Sequence, residues 1–134
     1  MKNNYFFNEL DQNILDEIMS TGDRVVYERN GIIYDKGAPA SHLYLLEKGD
    51  VDLIDKDVIR LSLKSSGDLF GWSSLVKNGI FTTTAISKTI SSVIRIPRES
   101  INDIFDRNPD IALHFYKHLG FNFSKQMGKI KSKE

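Results

Sequence analysis

Three patterns of apolar spacing divide the chain. Leu10, Ile14, Leu15, Ile18 and Met19 recur three and four residues apart, which is the spacing of one helix face. Asp11 suits the cap of that helix and Thr21-Gly22 its end, so the pattern predicts a helix over 11–20. From 24 to 96 the apolar runs shorten and become rich in β-branched and aromatic residues. They are Val25-Val26-Tyr27, Ile32-Ile33-Tyr34, Leu43 to Leu46, Val51 to Ile54, Val58 to Leu63, Thr82 to Ser87 and Ser92 to Ile96. Turn signals separate them at Asn30-Gly31, Lys36-Gly37, Lys48-Gly49, Asp55-Lys56-Asp57 and Ser66-Gly67. Strands recurring about every ten residues predict a mainly β fold, a sandwich or barrel rather than a βαβ unit. A jelly roll is one standard way to close such a sheet.

After Ile96 the helical spacing returns. Pro97 ends the last strand, and Ile101, Ile104 and Phe105 predict a helix over 98–107. Asn108-Pro109-Asp110 then combines a capping residue, a proline at the first helical position and an early acid, which predicts a second start. Ile111, Phe115, Leu119, Phe123, Met127 and Ile130 continue as one stripe, so the C-terminal helices are expected to cover 98–131. Gly120 and Gly128 each weaken that helix by about 1 kcal/mol relative to alanine, which predicts fraying near its end. The stripe is longer than one face of a small roll can cover. Phe115, Leu119, Phe123 and Met127 are therefore expected to form the seam of a parallel homodimer.

The stretch from Gly67 to Ala85 has the densest punctuation. A turn at Ser65 to Asp68 leads into Leu69-Phe70 and then Gly71, where backbone can approach a ligand or another strand closely. Ser73 to Val76 predicts one helical turn capped by Ser73, Asn78-Gly79 closes it, and Phe81 to Ser87 predicts the next strand. A strand, a glycine and a helix start aim several backbone N–H groups at one spot, which suits an anion such as phosphate. The same arrangement also simply turns a corner.

Charge adds a constraint. The 18 basic and 18 acidic residues cancel, so no global field argues for nucleic acid or an anionic membrane. Cysteine is absent, which excludes disulfides, thiolate ligands and cysteine nucleophiles. The N-terminus carries no apolar signal-peptide run, and no segment reaches membrane-spanning length. The expectation is a single cytoplasmic domain over residues 1–134, with a β-roll at 24–96.

Catalytic chemistry finds little purchase. His114 and His118 share a helix face at metal-compatible spacing, but the residues between them are Phe115, Tyr116 and Lys117, without the glutamate of the metalloprotease pattern. His42 stands alone, assigned to a loop, so a cupin-type metal centre lacks ligands. Ser73-Ser74 does not sit in a Gly-x-Ser-x-Gly elbow. Asp50, Asp52, Asp55 and Asp57 cluster near one hairpin and are expected on solvent faces. No catalytic residue, metal or cofactor is expected.

The order of elements, together with three segments, resembles the cyclic nucleotide-binding domain family of Crp/Fnr-like sensors. Tyr34 to Val51 resembles its early strands, with Gly37 and Gly49 at the family's spacing. Gly67-Asp68-Leu69-Phe70-Gly71 resembles the lead into the phosphate-binding cassette, and Ile94-Arg95-Ile96-Pro97-Arg98 its exit into a helix. The resemblance covers residues 10–125 and implies a jelly-roll β-roll with an N-terminal helix and a long C-terminal helix. It also implies a regulatory role in signal transduction, with a ligand pocket bordered by Gly71, Trp72, Ser73, Phe81, Thr82 and Thr83.

The family's ligand chemistry is altered in two places. Cyclic AMP-binding members follow this glycine with a glutamate for the ribose hydroxyl; here the residue is Trp72. They place an arginine about ten residues on for the cyclic phosphate; here the position falls on Phe81. Thr82 matches a position where the family has a serine or threonine on the phosphate. Removing one partner of a buried charge pair costs about 2–5 kcal/mol, or roughly thirtyfold to several-thousandfold in affinity. A cyclic nucleotide is thus disfavoured, and the pocket is expected to take a non-standard small effector or none. Trp72 and Phe81 either stack on a planar ligand or fill the pocket themselves, and in the second case the domain is a ligand-free dimerisation or protein-interaction module. Transcription factors of the family continue into a helix-turn-helix after the long helix. None follows here, so direct DNA binding is not expected of this chain.

Overall fold

Helix α1, Gln12–Ser20, packs Ile18 into the core and ends where the sequence predicts. Thr21 closes it twice, donating to the Ile18 carbonyl from its backbone at 3.2 Å and from its hydroxyl at 2.8 Å. The computed structural model describes residues 12–75, 78–110 and 112–113, and the side chains of 12–15, Trp72 and Leu75 fall outside that description. Asp11, His114, His118 and the expected seam of Phe115, Leu119, Phe123 and Met127 lie outside the described residues.

Eight strands follow: β1 Asp23–Tyr27, β2 Ile32–Tyr34, β3 His42–Lys48, β4 Val51–Asp55, β5 Val58–Leu63, β6 Leu69–Phe70, β7 Thr84–Ser87 and β8 Ser91–Pro97. They form two four-stranded antiparallel sheets with orders β1-β8-β3-β6 and β2-β7-β4-β5. The middle of the first sheet, where β3 lies between β8 and β6, is buried on both faces, which explains the unbroken apolar run Leu43 to Leu46 in β3. Its outer face, Leu43, Leu45, Leu69, Ile94 and Ile96, packs against Ile18 and against Ile101, Ile104 and Phe105 of helix α2, Arg98–Arg107. Its inner face, Tyr44, Leu46, Phe70 and Val93, meets Ile33, Tyr34, Val51, Leu53, Leu63, Phe81 and Ala85 across the roll. This is the mainly β fold that the spacing predicts, in the jelly-roll form with flanking helices that the resemblance implies.

Turn chemistry closes the hairpins. Lys56 and Asp57 both take positive φ, 53° and 65°, the two-residue turn that matches strand twist between β4 and β5. Gly49 has φ 111°, and a Cβ there would stand 2.7 Å from the Cα of Ser91, so no other residue fits. Strand β7 starts at Thr84, later than the run from Thr82 suggests, because residues 82 and 83 bend.

At the end of the roll, β8 includes Pro97, and α2 begins at the next residue. Pro97 has no side-chain cap to offer, and the Arg98 N–H instead donates to the Ser41 carbonyl at 2.9 Å. Arg107 joins Glu17 of α1 to Asp103 of α2. Asn108 serves two helices. Its side-chain amide donates to the Ile104 carbonyl at 2.8 Å, and its own carbonyl accepts from Ala112 at 3.0 Å as helix resumes. The capping signal at Asn108 is therefore met by the backbone, while the side chain reaches back to α2.

Candidate functional site

Gly71 leaves β6 with φ 83°, a conformation that excludes larger residues at low cost. A Cβ on it would sit 2.9 Å from Tyr44 Cδ1 and 3.0 Å from the His42 carbonyl. The chain then makes one 3₁₀ turn, Trp72–Leu75. Ser74, not Ser73, fixes this turn: its N–H and its hydroxyl both reach the Gly71 carbonyl, at 3.0 Å and 2.7 Å, and the residue is fully buried. A single 3₁₀ turn aligns few peptides, so the helix-end field on which an anion cradle depends is weak here.

Phe81 is held by backbone on both sides. Its N–H donates to the Ala38 carbonyl at 3.0 Å, and its carbonyl accepts from Gly37 at 2.8 Å. Those bonds carry the ring into the roll, where it is 5% exposed and stacks on Tyr34 with centroids 3.7 Å apart and planes 10° apart. Tyr34 in turn lies 5.4 Å from Tyr44 and 6.1 Å from Phe70, and Tyr44 stacks on Phe70 at 5.2 Å. Four rings thus fill the interior beside Gly71. Burial pushes the Tyr34 phenol well above its ordinary range, opposed by hydrogen bonding with the Thr83 hydroxyl and the Gly71 backbone. The phenol therefore stays protonated at neutral pH.

Of the expected pocket residues, Gly71, Phe81 and Thr83 converge on this aromatic cluster. Ser73 is half-buried in the turn, Thr82 is exposed, and Trp72 contributes its backbone to the turn. Thr84 bonds outside the cluster, accepting from the Lys36 N–H at 3.0 Å. Sequence reasoning missed Tyr34, Tyr44 and Phe70 as the partners of Phe81. Each lay in a recognised strand segment, and strand parity could have turned Tyr44 and Phe70 inward.

His42 is not in a loop. It opens β3 and contacts Arg95 of β8, whose Nη2 lies 3.3 Å from both imidazole nitrogens. Ser41 Oγ sits 2.8 Å from His42 Nδ1. Burial, and next the Arg95 charge, hold the His42 pKa below its ordinary value, with Glu99 and Asp23 opposing. The unfolded chain therefore binds more protons than the folded one near pH 6, and stability should fall as pH drops through about 6.5. Urea titrations of wild type and His42→Gln across that range should show a shallower loss in the variant. Equal slopes would remove His42 from the pH response.

The acidic hairpin residues hold no metal geometry. Asp52 is buried, contrary to the expectation of a solvent face, because Ser62 donates to it at 2.7 Å and Lys88 pairs with it at 3.5 Å. Asp55 pairs with Lys36 at 2.5 Å. Among the described residues no three potential ligands come together, and no helix is long and apolar enough to cross a membrane.

An antiparallel roll with a glycine and a short helical turn between β6 and β7, closed by helices on one outer face, defines a jelly-roll β-roll. The match to relatives makes this specific: residues 24–108 match the family model of the cyclic nucleotide-binding domain, and the chain belongs to that family. It is 31% identical over 91 residues to a cAMP-dependent protein kinase regulatory subunit of Aspergillus fumigatus, covering 66% of this chain and 22% of the relative. The corresponding subunit of Candida albicans is 28% identical over 89 residues, covering 66% and 19%. The chain thus spans about a fifth of the length of these relatives. Among solved structures, a candidate cyclic nucleotide-binding protein of Geobacter metallireducens GS-15 superposes with a TM-score of 0.83 at 21% identity, covering 92% of each chain. The catabolite activator protein of Thermus thermophilus gives 0.75 at 22% identity, covering 90% of this chain and 58% of that one. These likenesses establish the fold.

Proposed function

We propose that this domain is a non-catalytic regulatory module of signal transduction whose cassette takes no cyclic nucleotide in the family's charged manner. The observation that carries the reading is the Tyr34–Phe81 stack. An aromatic ring occupies the position to which the resemblance assigns the phosphate-binding arginine, and it is buried against three others. A cyclic phosphate brought there would lose its hydration and meet ring faces, whose electron-rich surfaces repel anions. The stack itself supplies the area that a ligand would otherwise bury. Signalling then runs through association of the module, most simply as a cytoplasmic homodimer with Phe115, Leu119, Phe123 and Met127 at the seam.

Trp72 is the sole tryptophan and directly follows Gly71, so its emission reports on the cassette segment. Cyclic AMP or cyclic GMP added to about 1 mM, a concentration that would saturate any micromolar site, should leave that emission unchanged. A saturable shift would retire the reading.

A further inference from the structure

One row of residues crosses the inner face of the first sheet. In register, Asp23 of β1 stands beside Arg95 of β8, Arg95 beside Tyr44 of β3, and Tyr44 beside Phe70 of β6. Directly paired residues share a face, and Tyr44 and Phe70 belong to the roll interior, so Arg95 is directed to the same side. His42, two residues before Tyr44, shares that face. The row therefore places a permanent cation one aromatic ring away from Gly71.

Arg95 has no counter-ion among the described residues. Asp23 stands beside it in register yet makes no ion pair with it, and Glu47, the acid on the same strand as Tyr44, is engaged by Arg24 and Ser92. Arg95 Nε is buried and unbonded. Its Nη2 lies 3.3 Å from both nitrogens of the His42 ring, which no in-plane position allows without colliding with the carbon between them. The guanidinium thus rests over the imidazole face and engages His42 through Nη2 alone, which leaves the buried Nε without an acceptor. A second guanidinium, Arg98, also has a buried and unbonded Nε, and its backbone N–H is tied to Ser41 beside His42. Desolvated donors of this kind are ordinarily matched to an acceptor.

We propose that Arg95 and His42 form a binding site for a small anion bearing a carboxylate or phosphate group, at the inner-face rim of the roll. The planar fork of Arg95 can take either group through two parallel N–H donors. His42, freed from beneath the cation, donates a further proton when charged. Tyr44 separates this site from Gly71, whose missing Cβ leaves room for that ring. An anion that moves Arg95 therefore presses on the ring that shapes the cassette segment. This site and the aromatic plug rest on different residues, and either can fail alone.

The test is nuclear magnetic resonance of the intact chain with inorganic phosphate and, separately, acetate, each raised to about 10 mM, tenfold above a millimolar Kd. The resonances to follow are Arg95 Nε–H and His42 Cε1–H. At least one anion should shift both saturably and raise the His42 titration midpoint, with Arg95, Glu99 and Asp23 as the charged groups facing it. Which anion saturates identifies the group recognised. Arg95→Gln should weaken binding at least about tenfold, while Arg60→Gln, on the exposed strand β5, should leave it unchanged. If Arg95→Gln does not fold, His42→Gln serves as the second variant and should weaken the same saturation. Resonances that stay in place with both anions in the wild type, or shifts that survive Arg95→Gln, overturn the site.

Discussion

Phe81→Ala should lower the free energy of unfolding by about 3–5 kcal/mol, the range for truncating a buried phenylalanine. The ring is almost fully buried and lies flat on Tyr34, so its loss removes both burial and a stacked pair. The backbone bonds of Phe81 to Gly37 and Ala38 do not involve the side chain. They hold the segment in place, prevent collapse and leave a cavity against Tyr34, Tyr44 and Phe70. An apolar cavity of that kind stays dry and admits small aromatic molecules. Benzene or indole should therefore raise the melting temperature of the variant and leave wild type unmoved. A cost below about 1 kcal/mol, far short of the usual range, would mean that the ring is no plug.

The second large effect is on the opposite face of the same sheet. Ile104 of α2 is 1% exposed and packs with Ile18 of α1, Leu43 and Leu45 of β3 and Ile96 of β8. Ile104→Ala should cost about 2–5 kcal/mol, read as a lower midpoint in urea at unchanged slope. The surface bridges of Arg107 to Glu17 and Asp103 cannot compensate, since exposed pairs contribute about 1 kcal/mol at most. Helix α2 continues directly from β8, the strand that carries Arg95. Loosening it should raise amide exchange in Arg98–Arg107 before the roll itself opens. Exchange that rises uniformly would show that helix and roll unfold as one unit.

Apolar spacing made the architecture legible. Short β-branched runs between Asn, Gly and Lys turn signals place β1 to β5 and β8 within a residue or two, and the helical spacing of Ile101, Ile104 and Phe105 places α2. The departures are local and have causes. Ser73 looks like the cap of the cassette turn, but burial of Ser74 lets its hydroxyl return to Gly71 and close a 3₁₀ turn instead. Asp52 reads as solvated because aspartate usually is, and only the fold brings Ser62 and Lys88 to it. Thr82 aligns with a phosphate position in the family resemblance, whereas the bend before β7 leaves it exposed and brings Thr83 to Tyr34.

The site was half legible. Phe81 stood out because the resemblance assigns that position to an arginine, but its partner Tyr34 lies 47 positions away along the chain. The stack follows from pairing β2 with β7 and from the backbone bonds of Gly37 and Ala38 to Phe81. His42 and Arg95 were invisible as a pair for the same reason: only the antiparallel register of β3 and β8 brings them together.

Calorimetric titration of the intact protein with cyclic AMP and cyclic GMP, from micromolar to millimolar concentrations, tests the central claim most directly. A stacked Tyr34–Phe81 pair predicts no saturable heat from either nucleotide. A saturating isotherm with a Kd of about 10 μM or tighter, some 7 kcal/mol of binding free energy, would contradict it, for the rings could not then occupy the pocket.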